Sequence, residues 1–350
     1  MKKLLFEIEN RNFPRTRYQG SKLKISNWIW ENIKDFRFNS VLDAFGGSAA
    51  VAYLLKTKGK QVIYNDALKF NYFVGLALIK NKEVRLSEAD IESITRRHKG
   101  IKYPTFITDT FKEIYYTQEE NKWLDMAVTN INRIDNKLKK AMAFFVLFQS
   151  CIIKRPFNLF HRKNLYMRIA DVKRSFGNKT TWDKPFDFYF RKFSGEINNA
   201  IFDNQKKNQI FCKDVFDLNV KPDLVYIDTP YISSQGTGVD YFDFYHFLEG
   251  MTNYQGWGKE IDWDTKNRRL KKVSSIWIDK TKIKEGFDRL FRKFKDSILV
   301  VSYRSDGIPS VDELVSLLKK YKSKVHEANH IRYKYVFSKS ESKEMLLLAE

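Results

Sequence analysis

The sequence is poor in cysteine. Cys151 and Cys212 are the two in 350 residues, and neither sits in a C-x-x-C pair. That excludes a disulfide framework and a cysteine zinc site, and it suits a reducing, cytoplasmic setting. Histidine is scarce as well. His98, His161, His246, His326 and His330 show no ligand spacing such as H-E-x-x-H, so no metal is expected. Long apolar runs are missing. The nearest, Ala141 to Ile153, is interrupted by Gln149 and Ser150, which points to a buried helix and no membrane association. Met1 to Asn10 is broken by Glu7 and Glu9 and lacks the apolar stretch of a secretory leader. Two phosphate fingerprints are also absent. Without G-x-G-x-x-G a dinucleotide is disfavoured, and without G-x-x-x-x-G-K-[ST] so is a nucleoside triphosphate.

Negative charge is the remaining deficit. Against 63 Lys and Arg stand 42 Asp and Glu, a formal net charge of +21. Such an excess is silent about fold but points to a polyanionic partner. What the chain does have is apolar and aromatic material, at 43% and 15%, enough for a substantial core.

Strand-like runs alternate with helical patterns. Val41 to Phe45 leads into Gly46-Gly47-Ser48, a helical stretch from Ala49 to Lys56 ends at Gly59, and Val62 to Tyr64 follows. Strand, glycine turn, helix, strand is a βαβ unit. The same grammar returns at Ile210 to Cys212, Leu224 to Ile227 and Ser297 to Val301. Val325 to Asn329 and Met345 to Ala349 read as a final pair. Near-continuous apolar runs suit strands buried on both faces of a mostly parallel sheet. Between them, residues 69–209 read as a helical lobe inserted into an α/β core. The core is then made of residues 1–68 and 210–350, with a smaller insertion at about 236–272.

Two segments carry chemistry. In the first, Asp43-x-Phe45-x-Gly47 forms a turn where the backbone can approach a ligand closely. Asp66 ends the next strand 23 residues after Asp43, a spacing that suits an acid gripping ribose hydroxyls. In the second, Asp228-Thr229-Pro230-Tyr231 follows a buried strand, where open α/β sheets bind ligands. Pro230 stiffens the turn, so that the Asp228 carboxylate and the Thr229 carbonyl can converge on one amino group. Tyr231 offers a flat face for an extruded base. Each segment alone is also ordinary turn chemistry in α/β proteins.

Together, and in this order, they resemble the adenine-specific DNA methyltransferases of the Dam-like group. Arg17-Tyr18-Gln19-Gly20-Ser21-Lys22 resembles that family's N-terminal segment, Asp43 to Gly47 its cofactor turn, and Asp228 to Tyr231 its D-P-P-Y motif. The resemblance implies a Rossmann-like methyltransferase fold that uses S-adenosyl-L-methionine without a metal. Tyr18, Lys22, Asp43, Phe45, Gly47, Asp66, Asp214 and Asp228 are then cofactor contacts, and Asp228 to Tyr231 the catalytic motif. Two positions depart from the pattern. Ala49 replaces a glycine and would be strained if the turn needs positive φ. Thr229 replaces a proline but keeps its carbonyl.

The resemblance further implies a target-recognition role for the lobe. There Lys154, Arg155, His161, Arg162, Lys163 and Arg168 interleave with aromatics, a pattern suited to phosphate and base contact, and Lys173 and Arg174 extend it. For any single residue a solvated basic face is an equally open reading, while for the segment as a whole DNA contact is favoured. Tyr303 can flank an extruded base or be a loop tyrosine, and Tyr241, Phe244 and Tyr245 read as packing. The expected partner is double-stranded DNA, with monomer favoured; the resemblance leaves open a restriction-modification system, whose cognate endonuclease acts independently, or an orphan or phage-type methylase. Alternatives are cytosine N4 as target, RNA as substrate, or a DNA-binding relative without catalysis.

Overall fold

The computed structural model describes residues 12–170, 179–233, 238–329 and 343–350. The strands are β1 (Ser40–Asp43), β2 (Gln61–Asn65), β3 (Gln209–Phe211), β4 (Leu224–Ile227), β5 (Ile232–Ser233), β6 (Ile298–Arg304), β7 (Gly307–Ile308), β8 (Val325–Asn329) and β9 (Glu344–Ala349). Seven of them form one sheet in the order β3-β2-β1-β4-β6-β9-β8. β1, β2, β3, β4 and β6 are mutually parallel, while β9 runs antiparallel to both β6 and β8. Every strand expected from the apolar runs is present. The small antiparallel pair β5 and β7 was not legible in them.

The sheet is buried on both faces because alternate side chains point to opposite sides. Val41, Tyr64, Leu224 and Val300 join one apolar cluster, and their chain neighbours Leu42, Ile63, Val225 and Leu299 join the other. The first cluster continues without a break into residues 69–209, through Phe70, Phe144, Phe148 and Phe190. That segment is helical, as expected, but it shares its core with the sheet. Its centre is the helix Lys137–Ile153, buried at every residue from Ala141 onward. The insertion at 236–272 packs on the same cluster through the helix Tyr241–Thr252 and Trp257; Gly236 and Thr237 lie outside the described residues.

The opposite face is covered by the helix Ile283–Lys293. Its Ile283, Phe287, Leu290 and Phe291 recur at the spacing that puts apolar groups on one side. Each such side chain buried contributes roughly 1.5–3 kcal/mol. The helix Val311–Leu318 lies beside it, started by a reciprocal Ser310–Glu313 cap. Among the described residues, no helix is long and apolar enough to cross a membrane.

Candidate active site

The direction of strand order reverses between β1 and β4. β1 leads outward to β2 on one side, and β4 leads to β6 on the other. In open α/β sheets this switch point, at the carboxyl ends of the strands, is where ligands bind. Asp43 closes β1 opposite Tyr226, and Asp228 follows β4 by one residue. Both open onto a cavity of about 560 Å³. All eight residues named above for the cofactor line it.

The glycine turn is built by close approach. A Cβ on Gly46 would lie 2.0 Å from the Tyr64 ring, so no larger residue fits without displacing that tyrosine. Gly47 donates its N–H to Asp66 Oδ2 at 2.9 Å, and Leu68 N–H reaches Asp66 Oδ1 at 2.8 Å. Asp66 therefore ties the two strand ends together while facing the cavity. Ala49, at the N-cap of the helix Ala50–Thr57, has φ of 64°. The turn does require the left-handed conformation, so this alanine is strained there.

Other elements complete the walls. Tyr18 stacks on Tyr245 and Tyr241, with ring centroids 4.9 and 5.7 Å away, and accepts a hydrogen bond from Asn71. Tyr245 is thus packing, as expected, whereas Tyr241 also lines the cavity. Asp214 accepts the N–H of Phe216 and so orders the turn after β3. Phe45 meets Trp277 edge-on at 5.0 Å, and Trp277 stacks on Phe216 at 5.8 Å. Sequence reasoning missed Phe216 and Trp277. Their segments carry no motif, and only the fold brings them to Phe45.

The electrostatics are distinctive for a chain of net charge +21. Burial, then the charges of Asp228 and Asp66, push the Asp43 carboxyl up to about 8. Asp43 Oδ1 has no hydrogen-bond partner among the described residues. Burial likewise raises Asp66, and it lifts Glu249 at the rim to about 7. Asp228 is pushed up to about 6 by burial, with Lys22 opposing and Glu344 reinforcing the shift. Lys22 Nζ lies 3.2 Å from Asp228 Oδ1 and 3.1 Å from Glu344 Oε1. The Tyr231 hydroxyl donates to Asp228 and accepts from Lys22. Burial and mutual repulsion disfavour ionisation of these carboxyls, and a cationic guest offsets both.

The tetrapeptide Asp228 to Tyr231 divides. Asp228 and Pro230 line the cavity, but Thr229 and Tyr231 do not. The Tyr231 ring is 4% exposed and packs edge-on against Tyr303 at 5.7 Å. The open aromatic face expected of Tyr231 is therefore turned inward, held by its hydroxyl contacts. Tyr303 is not a loop residue either. β6 extends to Arg304, which buries Tyr303 completely.

The basic lobe segment needs a larger correction. Lys154, Arg155 and Arg168 are all at most 4% exposed and cannot reach DNA phosphates in this structure. Lys154 and Arg168 share Glu120, at 2.9 and 2.7 Å. Arg155 donates to the carbonyls of Leu159, Tyr115 and Arg162 and lies over the Tyr115 ring. His161 is half-buried against Phe244, and burial with two neighbouring arginines lowers it to about 4, so it is neutral at pH 7. Of these six candidates, only Arg162 and Lys163 are exposed. Lys173 and Arg174 lie outside the described residues.

A family model described as "D12 class N6 adenine-specific DNA methyltransferase" matches residues 18–317. The Type II methyltransferase M2.HphI of Haemophilus parahaemolyticus is 30% identical, over 98% of this chain and 99% of its own length. The Type II methyltransferase M.CviAII of Paramecium bursaria Chlorella virus 1 is 24% identical, over 91% and 93%. The Type II methyltransferase M.FokI of Planomicrobium okeanokoites is 26% identical over 92% of this chain, which spans 52% of that longer protein.

Proposed function

The chain belongs to the D12 class N6 adenine-specific DNA methyltransferases, and on that premise we propose which of its residues carry the reaction. The observation that bears most weight is the convergence of Asp43, Asp66 and Asp228 in one cavity at the β1–β4 switch point. S-adenosyl-L-methionine carries a sulfonium and an ammonium beside its one carboxylate, a net cation, and buried carboxylates with an unpartnered oxygen on Asp43 fit it. Asp43 and Asp66 hold it, with Tyr18, Lys22, Gly47 and Asp214 around them and the Phe45–Trp277–Phe216 wall beside its apolar parts.

When bound, it would supply an electrophilic methyl group to the adenine N6 lone pair and leave as the neutral thioether, and the proton that N6 sheds would pass through its hydrogen bond to Asp228 and on to solvent. Asp228 and the Thr229 carbonyl accept hydrogen bonds from the amino group and align its lone pair. Fixed acceptors stabilise the positive charge that builds on N6, and alignment lowers the barrier further. Base stacking on Tyr231 requires that ring to rotate out of its present packing.

The finer assignments follow from resemblance: a Dam-like member of a restriction-modification system, in the cytoplasm, acting on double-stranded DNA as a monomer. The helical segment 69–209 serves as its recognition lobe, with Arg162 and Lys163 as exposed phosphate contacts. A cognate endonuclease, if the genome has one, acts separately. Transfer of labelled methyl groups to DNA, followed by separation of the nucleosides, tests the reading. Label in N6-methyladenine supports it; label in N4-methylcytosine, or in RNA alone, contradicts it.

A further inference from the structure

Glu344 belongs to no motif of the sequence, yet it sits at the centre of the site's polar network. It opens β9, is fully buried, and pairs in register with Arg304 of β6. The Arg304 guanidinium is engaged by Asp306, at 2.7 Å for both contacts. Glu344 Oε1 instead takes the Ser302 hydroxyl, the Lys22 ammonium at 3.1 Å and the Tyr231 hydroxyl at 3.4 Å. Lys22 thus faces two carboxylates at nearly equal distance, 3.1 Å to Glu344 and 3.2 Å to Asp228.

We propose that Glu344 is a positioning residue for methyl transfer, sharing Lys22 and Tyr231 with Asp228 so that Asp228 keeps an open acceptor for the amino group of the target base. The inference rests on the reading of Asp228 given above.

The physical reason is competition for one cation. A buried ammonium paired with a single carboxylate forms a strong charge-assisted bond and occupies its lone pairs. A second carboxylate divides that attraction. It also leaves the cluster of Lys22, Asp228 and Glu344 with an excess of one negative charge. That excess lies where positive charge develops on the attacking nitrogen, and preorganised charge of this kind stabilises the transition state. When Tyr231 rotates toward a base, its hydroxyl leaves Asp228, and Glu344 remains to retain Lys22. The titratable and charged groups facing Glu344 among the described residues are Lys22, Asp228, Tyr231 and Tyr226, with Arg304 and Asp306 across the strand pair.

The test is the single-turnover rate of methyl transfer between pH 5 and 9, with saturating S-adenosyl-L-methionine and DNA. Glu344→Gln is expected to slow transfer roughly tenfold, which corresponds to about 1.4 kcal/mol of lost transition-state stabilisation. It is also expected to move the acidic limb to lower pH, because the charge that raises Asp228 is gone. A slowed rate with the limb unmoved means a structural role only and overturns the proposal, as does an unchanged rate. Should Glu344→Gln fail to fold, Glu344→Asp keeps the charge but withdraws it from Lys22. A loss of threefold or more with unchanged DNA affinity supports the proposal, and a wild-type rate overturns it. Asp228→Ala is run alongside. If it turns over normally, the reading of the site fails, which is distinct from an inert Glu344.

Discussion

Lys22 Nζ and Asp228 Oδ1 lie 3.2 Å apart, so the N-terminal segment and the strand-end motif form one ion pair across most of the chain. The pair is buried on the lysine side, and the aspartate side chain is 17% exposed toward the cavity. Removing one partner of a buried pair leaves the other charge uncompensated. Lys22→Met is therefore expected to cost about 3 kcal/mol of stability in urea titrations and to raise Asp228 further. The acidic limb of the transfer rate then moves to higher pH, opposite to its shift in Glu344→Gln.

Asp43 makes ligand binding proton-linked. Its folded value of about 8 exceeds an unfolded value near 4. The stability it contributes is full below about 4 and is lost as pH rises through about 8. A cation beside it favours the ionised form, so S-adenosyl-L-methionine should bind with proton release at pH 7 and more tightly as pH approaches 8. Calorimetry in two buffers of different ionisation enthalpy measures this, and proton uptake would contradict it.

Ala49→Gly should stabilise the protein by up to about 1 kcal/mol, because relief of a left-handed alanine exceeds the extra entropy of glycine in the unfolded chain. Thermal unfolding reads the change directly.

Thr229 departs most visibly from the family's motif, and it should tolerate substitution best. It is buried and its Oγ1 has no hydrogen-bond partner among the described residues. Thr229→Val keeps the carbonyl and removes an unsatisfied hydroxyl, so the rate should stay within about threefold and stability should not fall.

The lobe cations separate by burial. Arg162→Ala and Lys163→Ala should each weaken DNA binding and lower the salt slope by about one. Glu120→Gln should cost about 3 kcal/mol of stability instead, because Lys154 and Arg168 lose their shared carboxylate. A salt titration of DNA affinity, with melting curves, distinguishes the two behaviours.

The sheet was readable because strands buried on both faces must be apolar throughout, as Leu224–Ile227 is. The lining of the switch-point cavity was readable because its turn and strand ends carry motifs. Direction was not. Lys154 and Arg155 continue directly from the buried run ending at Ile153, and composition shows their charge but not that the helix aims them inward. Tyr231 has the expected identity at the expected place, but its hydroxyl bonds to Asp228 and Lys22 decide which way the ring faces. Glu344 left a faint signal, an acid at the head of the apolar run Met345 to Ala349. Phe216 and Trp277 left none, since their meeting depends on packing between distant segments.

The most direct test compares wild type and Asp228→Ala in labelled methyl transfer to DNA, with binding of S-adenosyl-L-methionine and DNA measured on the same preparations. The account predicts N6-methyladenine from the wild type. From the variant it predicts loss of transfer by at least about a hundredfold, with DNA binding largely intact. Near-normal transfer by Asp228→Ala would contradict it.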